Sequence, residues 1–298
     1  MAAAAPPVAA PRFVPNIGRR KLKGTAFYGL CILAVAILLL AILILLVDVF
    51  VLGVPWLNAD FITGTPSRRP ADAGILPALV GSIQLVAITC VVAFPIGLAA
   101  AISLEEYAKD TRLNRLLRAN ISNLSGVPSI IYGIFGLAIF VRTLSLGYTL
   151  ISGALTLALL ILPIVIITSM EAMRAVPGTQ REAAYALGAT RWQVVRGAVL
   201  PSAAAGILTG IILAVARAIG EAAPLILVGA VGFVTFLPSP LEGGYTVLPI
   251  QIFDWASRPQ EDFQGLAAAT IIVLLVLLVI LDILAVVLRI RLSRHIQW

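Results

Sequence analysis

The sequence predicts an all-α membrane protein with six transmembrane helices, and three observations predict it. The 298-residue chain is 60% hydrophobic and only 12% charged, whereas soluble domains are about half apolar and about one quarter charged. Its apolar residues fall in long runs. Residues 30–47 and 266–281 hold no charge at all, and about 18 such residues suffice to cross a hydrocarbon core as a helix. The basic residues gather in alternate connections between these runs, as they do in multi-pass membrane proteins.

Taken in order, residues 1–15 are rich in Ala and Pro and read as disordered. The basic cluster Arg19, Arg20, Lys21 and Lys23 precedes an apolar run too long for a cleavable signal, so the first span is expected to be a retained signal anchor. Spans are expected at 26–50, 75–102, 121–141, 149–170, 202–235 and 266–288. The division that follows is a disordered N-terminus (1–25), a first helix with its outer loop (26–75), a core (76–288) with a long connection at 174–200, and a tail (289–298). The fifth span exceeds one simple crossing and is expected to tilt, or to break near Gly220 or Pro224. Residues 144–148 leave room only for a tight hairpin.

Charge sets the orientation. Sixteen Lys and Arg fall on one side, in the groups Arg12 to Lys23, Lys109 to Arg118, Arg174 to Arg196 and Arg289 to Arg294. Four fall on the other: Arg68, Arg69, Arg142 and Arg258. Positive charge stays inside, so both termini are expected in the cytoplasm. The net charge of +7 therefore reads as topology control and not as a nucleic-acid surface. Trp56 and Trp255 sit where interfacial anchors are expected. Cys31 and Cys90 read as small buried apolar residues, and the single His295 excludes a His/Cys metal site.

The connection from Val176 to Gly188 carries more information. Pro177 and Gly178 break the preceding helix. Thr179 with Glu182 has the spacing of a capping box, so a new helix is expected there. Gly188 suits the left-handed position that ends it. A second box, Thr190 with Gln193, opens a helix running to Pro201. Ala183, Ala184 and Leu187 form a small apolar face, which fits an ordinary connector or a docking element. The residues alone leave both readings open.

Arg217 and Glu221 stand deep in the fifth span, four apart and so on one helical face. A charge at the bilayer centre costs about 2.5 to 3.5 kcal/mol, so the pair either locks helices together or lines a wet path. A guanidinium meets an oxyanion through two parallel hydrogen bonds. In the third span Pro128 frees a backbone carbonyl, with Ser125 and Ser129 on either side. Those hydroxyls serve a path or, equally, the Pro and Gly only permit close packing. Asp48 and Asp282 read as helix-end residues or bundle-facing pairs. Gly206 and Gly210 form a small-residue packing pair.

Glu182-Ala183-Ala184, then Gly188, then Leu200-Pro201 resembles the EAA loop of bacterial ABC importer permeases. Ala198 departs mildly from that pattern, which usually has an aliphatic residue there. The stretches Gly126 to Gly136 and Arg217 to Leu225 resemble the phosphate-specific importer permeases, and Ala223-Pro224-Leu225 resembles their PstA-type subunit more than the PstC-type. The resemblance covers roughly residues 76–288.

It implies the type I importer permease fold in a bacterial cell membrane. It also implies a PstC-type partner permease, an ATPase dimer, a phosphate-binding protein outside and inorganic phosphate as cargo. Coupling to the ATPase would run through Glu182, Ala183, Ala184, Leu187 and Gly188. The substrate path would use Arg217 and Glu221, with Ser125 and Ser129 as lesser members.

No G-x-x-x-x-G-K-[ST] run exists, so ATP and Mg are expected in a separate ATPase chain, with no cofactor and no catalysis here. Rival readings are a permease for another oxyanion such as molybdate or sulfate, or for an organic solute. A stand-alone secondary transporter and a non-transporting scaffold or sensor are the others.

Overall fold

Nearly every stretch of regular structure is helical, as long apolar runs in a bilayer require: only helices and closed barrels satisfy their backbone polar groups there. The computed structural model describes residues 17–293. Arg12, Arg294, His295 and the expected disorder of 1–15 lie outside these. The chain divides into two units, residues 1–48 and 49–298.

The first unit is the greater part of α1 (Ile17–Gly53). Its apolar side chains are exposed from Leu22 onward, and no face is polar, as suits a helix surrounded by lipid. The helix starts at Ile17, inside the segment expected to be disordered, because Arg20, Lys21, Leu22 and Lys23 are good helix formers that extend the apolar run. Cys31 is exposed on α1 and not buried as expected, and Cys90 is only half-buried.

In the second unit, α2 (Ala59–Thr63) is capped by Asn58, whose Oδ1 accepts from the Phe61 N–H at 2.7 Å. α3 (Leu76–Ile102) ends in a π-helical turn over Ser103–Tyr107. α4 (Arg112–Ser125) and α5 (Ser129–Gly136) follow, and α5 is extended by a π-helical turn over Leu137–Thr143. α6 (Leu150–Arg174) is the central rod, packed on α3 and on α9 (Leu200–Gly220). Between them lie α7 (Gly178–Ala186) and α8 (Arg191–Val194). The short α10 (Ala223–Leu227), α11 (Leu248–Ala256) and the long α12 (Glu261–Ser293) complete the order.

Five helical segments are long and apolar enough to span, and a sixth exists if the bent pair α4–α5 is one span. The third span, expected at 121–141 with a break at Pro128, is sharply bent there. The chain turns through 104° between α4 and α5, because Pro128 lacks the N–H that would continue the helix. The Tyr132 hydroxyl donates to the Leu124 carbonyl across this elbow at 2.7 Å and holds it. The fifth span breaks after Gly220, one of the two sites expected. Arg191 to Gly220 is continuous through Pro201, since a π-helical turn over Val195–Val199 absorbs the missing proline N–H.

Small residues set the helix spacing. A Cβ at Gly210 would lie 2.1 Å from Thr168 Oγ1, and one at Gly206 2.7 Å from Ala172 Cβ, so this pair packs α9 on α6 as expected. A Cβ at Gly133 would lie 2.8 Å from Pro224 Cα. We expect Gly133→Val to destabilise the α5–α10 contact by about 1 to 3 kcal/mol, the usual range for overpacking, seen as a lower aggregation temperature in detergent.

Trp255 is fully buried against Phe61 and Phe263. It is thus a core residue and not the expected interfacial anchor; Trp56 is half-buried. Tyr245 lies in the connection before α11, wholly buried, with its hydroxyl beside Gly153. Burial pushes its phenol well above the usual value, so it stays protonated. Asp48 and Asp282 sit within α1 and α12, away from the helix ends, and neither joins an ion pair among the described residues. Asp282 lines an apolar pocket beside Cys90.

Candidate functional site

The depth of Arg217 follows from packing register. Gly210 meets Thr168, which lies about 27 Å along α6 from Leu150 at 1.5 Å per residue. Arg217 is seven residues further along the antiparallel α9, so it lies about 16 Å from the Leu150 end. That is near the middle of a hydrocarbon core about 30 Å thick.

Here Arg217 Nε sits 3.4 Å from Glu221 Oε1. The contact is long for a charge-assisted hydrogen bond, and it uses only one guanidinium nitrogen. The Arg217 side chain is 40% exposed and that of Glu221 17%, so the guanidinium faces open space with its two terminal nitrogens uncommitted. Glu221 is placed by the helix break, since it is the extended residue just past the end of α9.

The other expected path residues, Ser125 and Ser129, lie where α4 ends and α5 begins. Ser125 donates to the Ser122 carbonyl at 2.7 Å, a local bond at the end of α4. Ser129 opens α5 half-buried. Both belong to the elbow. Tyr132, absent from the expected set, has its hydroxyl engaged at the same elbow.

The coupling loop forms as two helices. The expected Thr179–Glu182 capping box is absent: Pro177 occupies the N-cap of α7 with no side-chain cap. The proline-glycine step moves the N-cap two residues earlier, from Thr179 to Pro177, so Thr179 falls inside the first turn. The second box forms, with the Thr190 N–H donating to Gln193 Oε1 at 2.7 Å. Gly188 takes φ +80° past the end of α7, a conformation that disfavours side chains. Glu182 and Ala183 are exposed, Ala184 is half-buried, and Leu187 is 90% exposed. Leu187 thus presents its apolar side chain almost entirely outward.

α7 is clasped to the bundle by a residue read only as a topology charge. Arg181 donates to Glu106 at 2.9 Å, to the Val176 carbonyl at 2.7 Å and to the Met173 carbonyl at 2.8 Å. It thereby ties α7 to the ends of α3 and α6. Glu106 is 8% exposed. Beside it, Glu105 accepts a two-pronged bond from Arg174, at 3.1 and 2.9 Å, and another from Arg118 at 3.3 Å. Arg118 also reaches the Leu104 carbonyl. Arg191 lies over the Tyr107 ring at 5.6 Å. The signal was legible as Glu105-Glu106, the two carboxylates placed among the basic residues of this end.

Residues 93–294 match the family described as binding-protein-dependent transport system inner membrane component. A probable ABC transporter permease protein of Bacillus subtilis, YqgI, is 37% identical over 202 residues, covering 68% of each chain. The phosphate transport system permease protein PstA of Pasteurella multocida is 35% identical over 259 residues, covering 86% of this chain and 91% of the relative. In fold the chain resembles a subunit of a bacterial alginate ABC transporter solved with its alginate-bound periplasmic protein. That match has a TM-score of 0.64 at 13% identity and covers 92% of this chain and 96% of the other.

Proposed function

The chain belongs to the family of binding-protein-dependent transport inner membrane components, and from this we propose that it is the membrane-spanning subunit of an ATP-driven importer of inorganic phosphate. It is a transport subunit and not an enzyme. The PstA relatives supply the cargo class. The observation that carries the reading is the mid-bilayer guanidinium of Arg217, 40% exposed beside a single carboxylate. An arginine at that depth is costly, and a passing phosphate offers its guanidinium the bidentate partner that Glu221, held at one nitrogen, does not. Glu221 holds the side chain in position and, as a like charge to the cargo, keeps the anion from binding so tightly that transport stalls.

The open side of Arg217 leaves half of a path, to be completed by a PstC-type permease. ATP and Mg bind an ATPase dimer at the basic end, which the charge bias places in the cytoplasm with both termini. A phosphate-binding protein delivers cargo from outside. Closure of the ATPase pair moves α7 from Glu182 through Gly188, and the helix bundle opens outward.

The test is reconstitution of the purified complex with its copurifying subunits in liposomes. ATP-dependent uptake of labelled phosphate is expected, competed weakly by sulfate or molybdate. Preferential competition by either would transfer the cargo to that oxyanion. Leu187→Asp is expected to reduce recovery of the ATPase in a pull-down about 30-fold, as loss of a 2 kcal/mol anchor does, with the chain still in the membrane.

A further inference from the structure

We propose that α4 (Arg112–Ser125) is the interfacial entry to the third crossing, a helix that lies in the membrane plane and binds the anionic headgroups of the leaflet at the basic end. The inference rests on the membrane placement and not on the cargo.

Three observations carry it. The chain turns through 104° between α4 and α5, so with α5 along the bilayer normal α4 lies across it. Its depth is that of the interface. It packs on Ile167, Met170, Glu171 and Arg174 of α6, which stand about 26 to 36 Å from the Leu150 end at 1.5 Å per residue. Its faces are sorted. Arg118, Ile121 and Ser122 meet α6. Leu113, Leu117 and Leu124, one above another at helical spacing, point elsewhere with Leu116 beside them, exposed by 65%, 43%, 37% and 63% in that order.

Charge selects the occupant. Arg112 borders the leucine face, Arg115 lies on the opposite side of α4 and Lys109 just before the helix, and all three are exposed. The acids nearby are Asp110, at 3.4 Å from Arg115 with both side chains open to solvent, and Glu105 and Glu171, which face Arg118 and Arg174. A leucine stripe on a helix with exposed cations is the pattern of one that sinks its apolar side among acyl chains and sets its charges at lipid phosphates. Each cation near an anionic surface adds about a fivefold preference, the equivalent of about 1 kcal/mol.

The experiment places a fluorescent label at position 117 through Leu117→Cys, in a background carrying Cys31→Ser and Cys90→Ser. The full complex is reconstituted in vesicles of equal phosphatidylcholine and phosphatidylglycerol. Nitroxide-bearing lipids should quench the label, and the phosphatidylglycerol probe should quench it more than the phosphatidylcholine probe. Arg112→Gln with Arg115→Gln should lower that preference by about fivefold per charge removed. Equal quenching by the two lipids would overturn the proposal, as would free access of a water-soluble thiol reagent. Shielding that appears only when the other subunits are bound would assign the face to a protein partner instead. Leu113→Cys gives the same reading if the first variant does not fold.

Discussion

Arg217→Gln is expected to abolish phosphate uptake, with the complex still assembled and recovered from the membrane. The side chain is 40% exposed and contacts Glu221 only through Nε at 3.4 Å, so the fold draws little from it. The variant leaves Glu221, 17% exposed, without its partner, and adding Glu221→Gln removes that stranded charge. Uptake should stay lost in both variants, because the path lacks the Arg217 guanidinium. Arg217→Lys separates charge from shape. It retains the positive charge but not the planar fork, and uptake should fall at least tenfold if the two terminal nitrogens meet the oxyanion together. Wild-type uptake by Arg217→Gln would reduce the pair to a structural contact.

Arg181→Ala should have the second large effect, through a different mechanism. Arg181 joins α7 to Glu106 and to the carbonyls of Met173 and Val176. Motion of α7 reaches α3 and α6 through that clasp, so its loss should leave ATPase binding through Leu187 in place and reduce ATP-driven uptake tenfold or more. The variant also strands Glu106, which is 8% exposed. Leaving one member of a buried pair typically costs about 3 to 5 kcal/mol. Adding Glu106→Gln removes the stranded charge. The double variant should regain thermal stability yet still couple poorly. Recovery of both together would mean that Arg181 acts only on stability.

The sequence disclosed those features whose cause is local. Apolar run length disclosed the spans, five of which are single long helical segments among the described residues. The Thr190–Gln193 box and the glycine at 188 were readable because a cap involves residues three or four apart. The break after Gly220 was readable because the run was too long for one crossing.

Features that depend on distant partners were not readable. Trp255 was expected at an interface and is a core residue, because Phe61 and Phe263, from other helices, close over it. Arg118, Arg174 and Arg181 looked alike as topology charges, and only the meeting of three helix ends shows that they converge on Glu105 and Glu106. Pro128 was readable as a break, but only the tertiary structure shows that the break is a 104° elbow held by Tyr132.

By itself, then, the sequence determined that this chain is a bundle of membrane helices with a long helical connection at 174–200 and one arginine–glutamate pair set deep among apolar residues. Hydrophobic length and local capping act within a few residues and need no tertiary partner. The tertiary structure alone decided that the Arg217 fork is open, that Arg181 clasps α7, and that the chain turns sharply between α4 and α5. Each depends on which residues of distant helices come within a few ångströms, and small-residue packing such as Gly210 on Thr168 fixes that register.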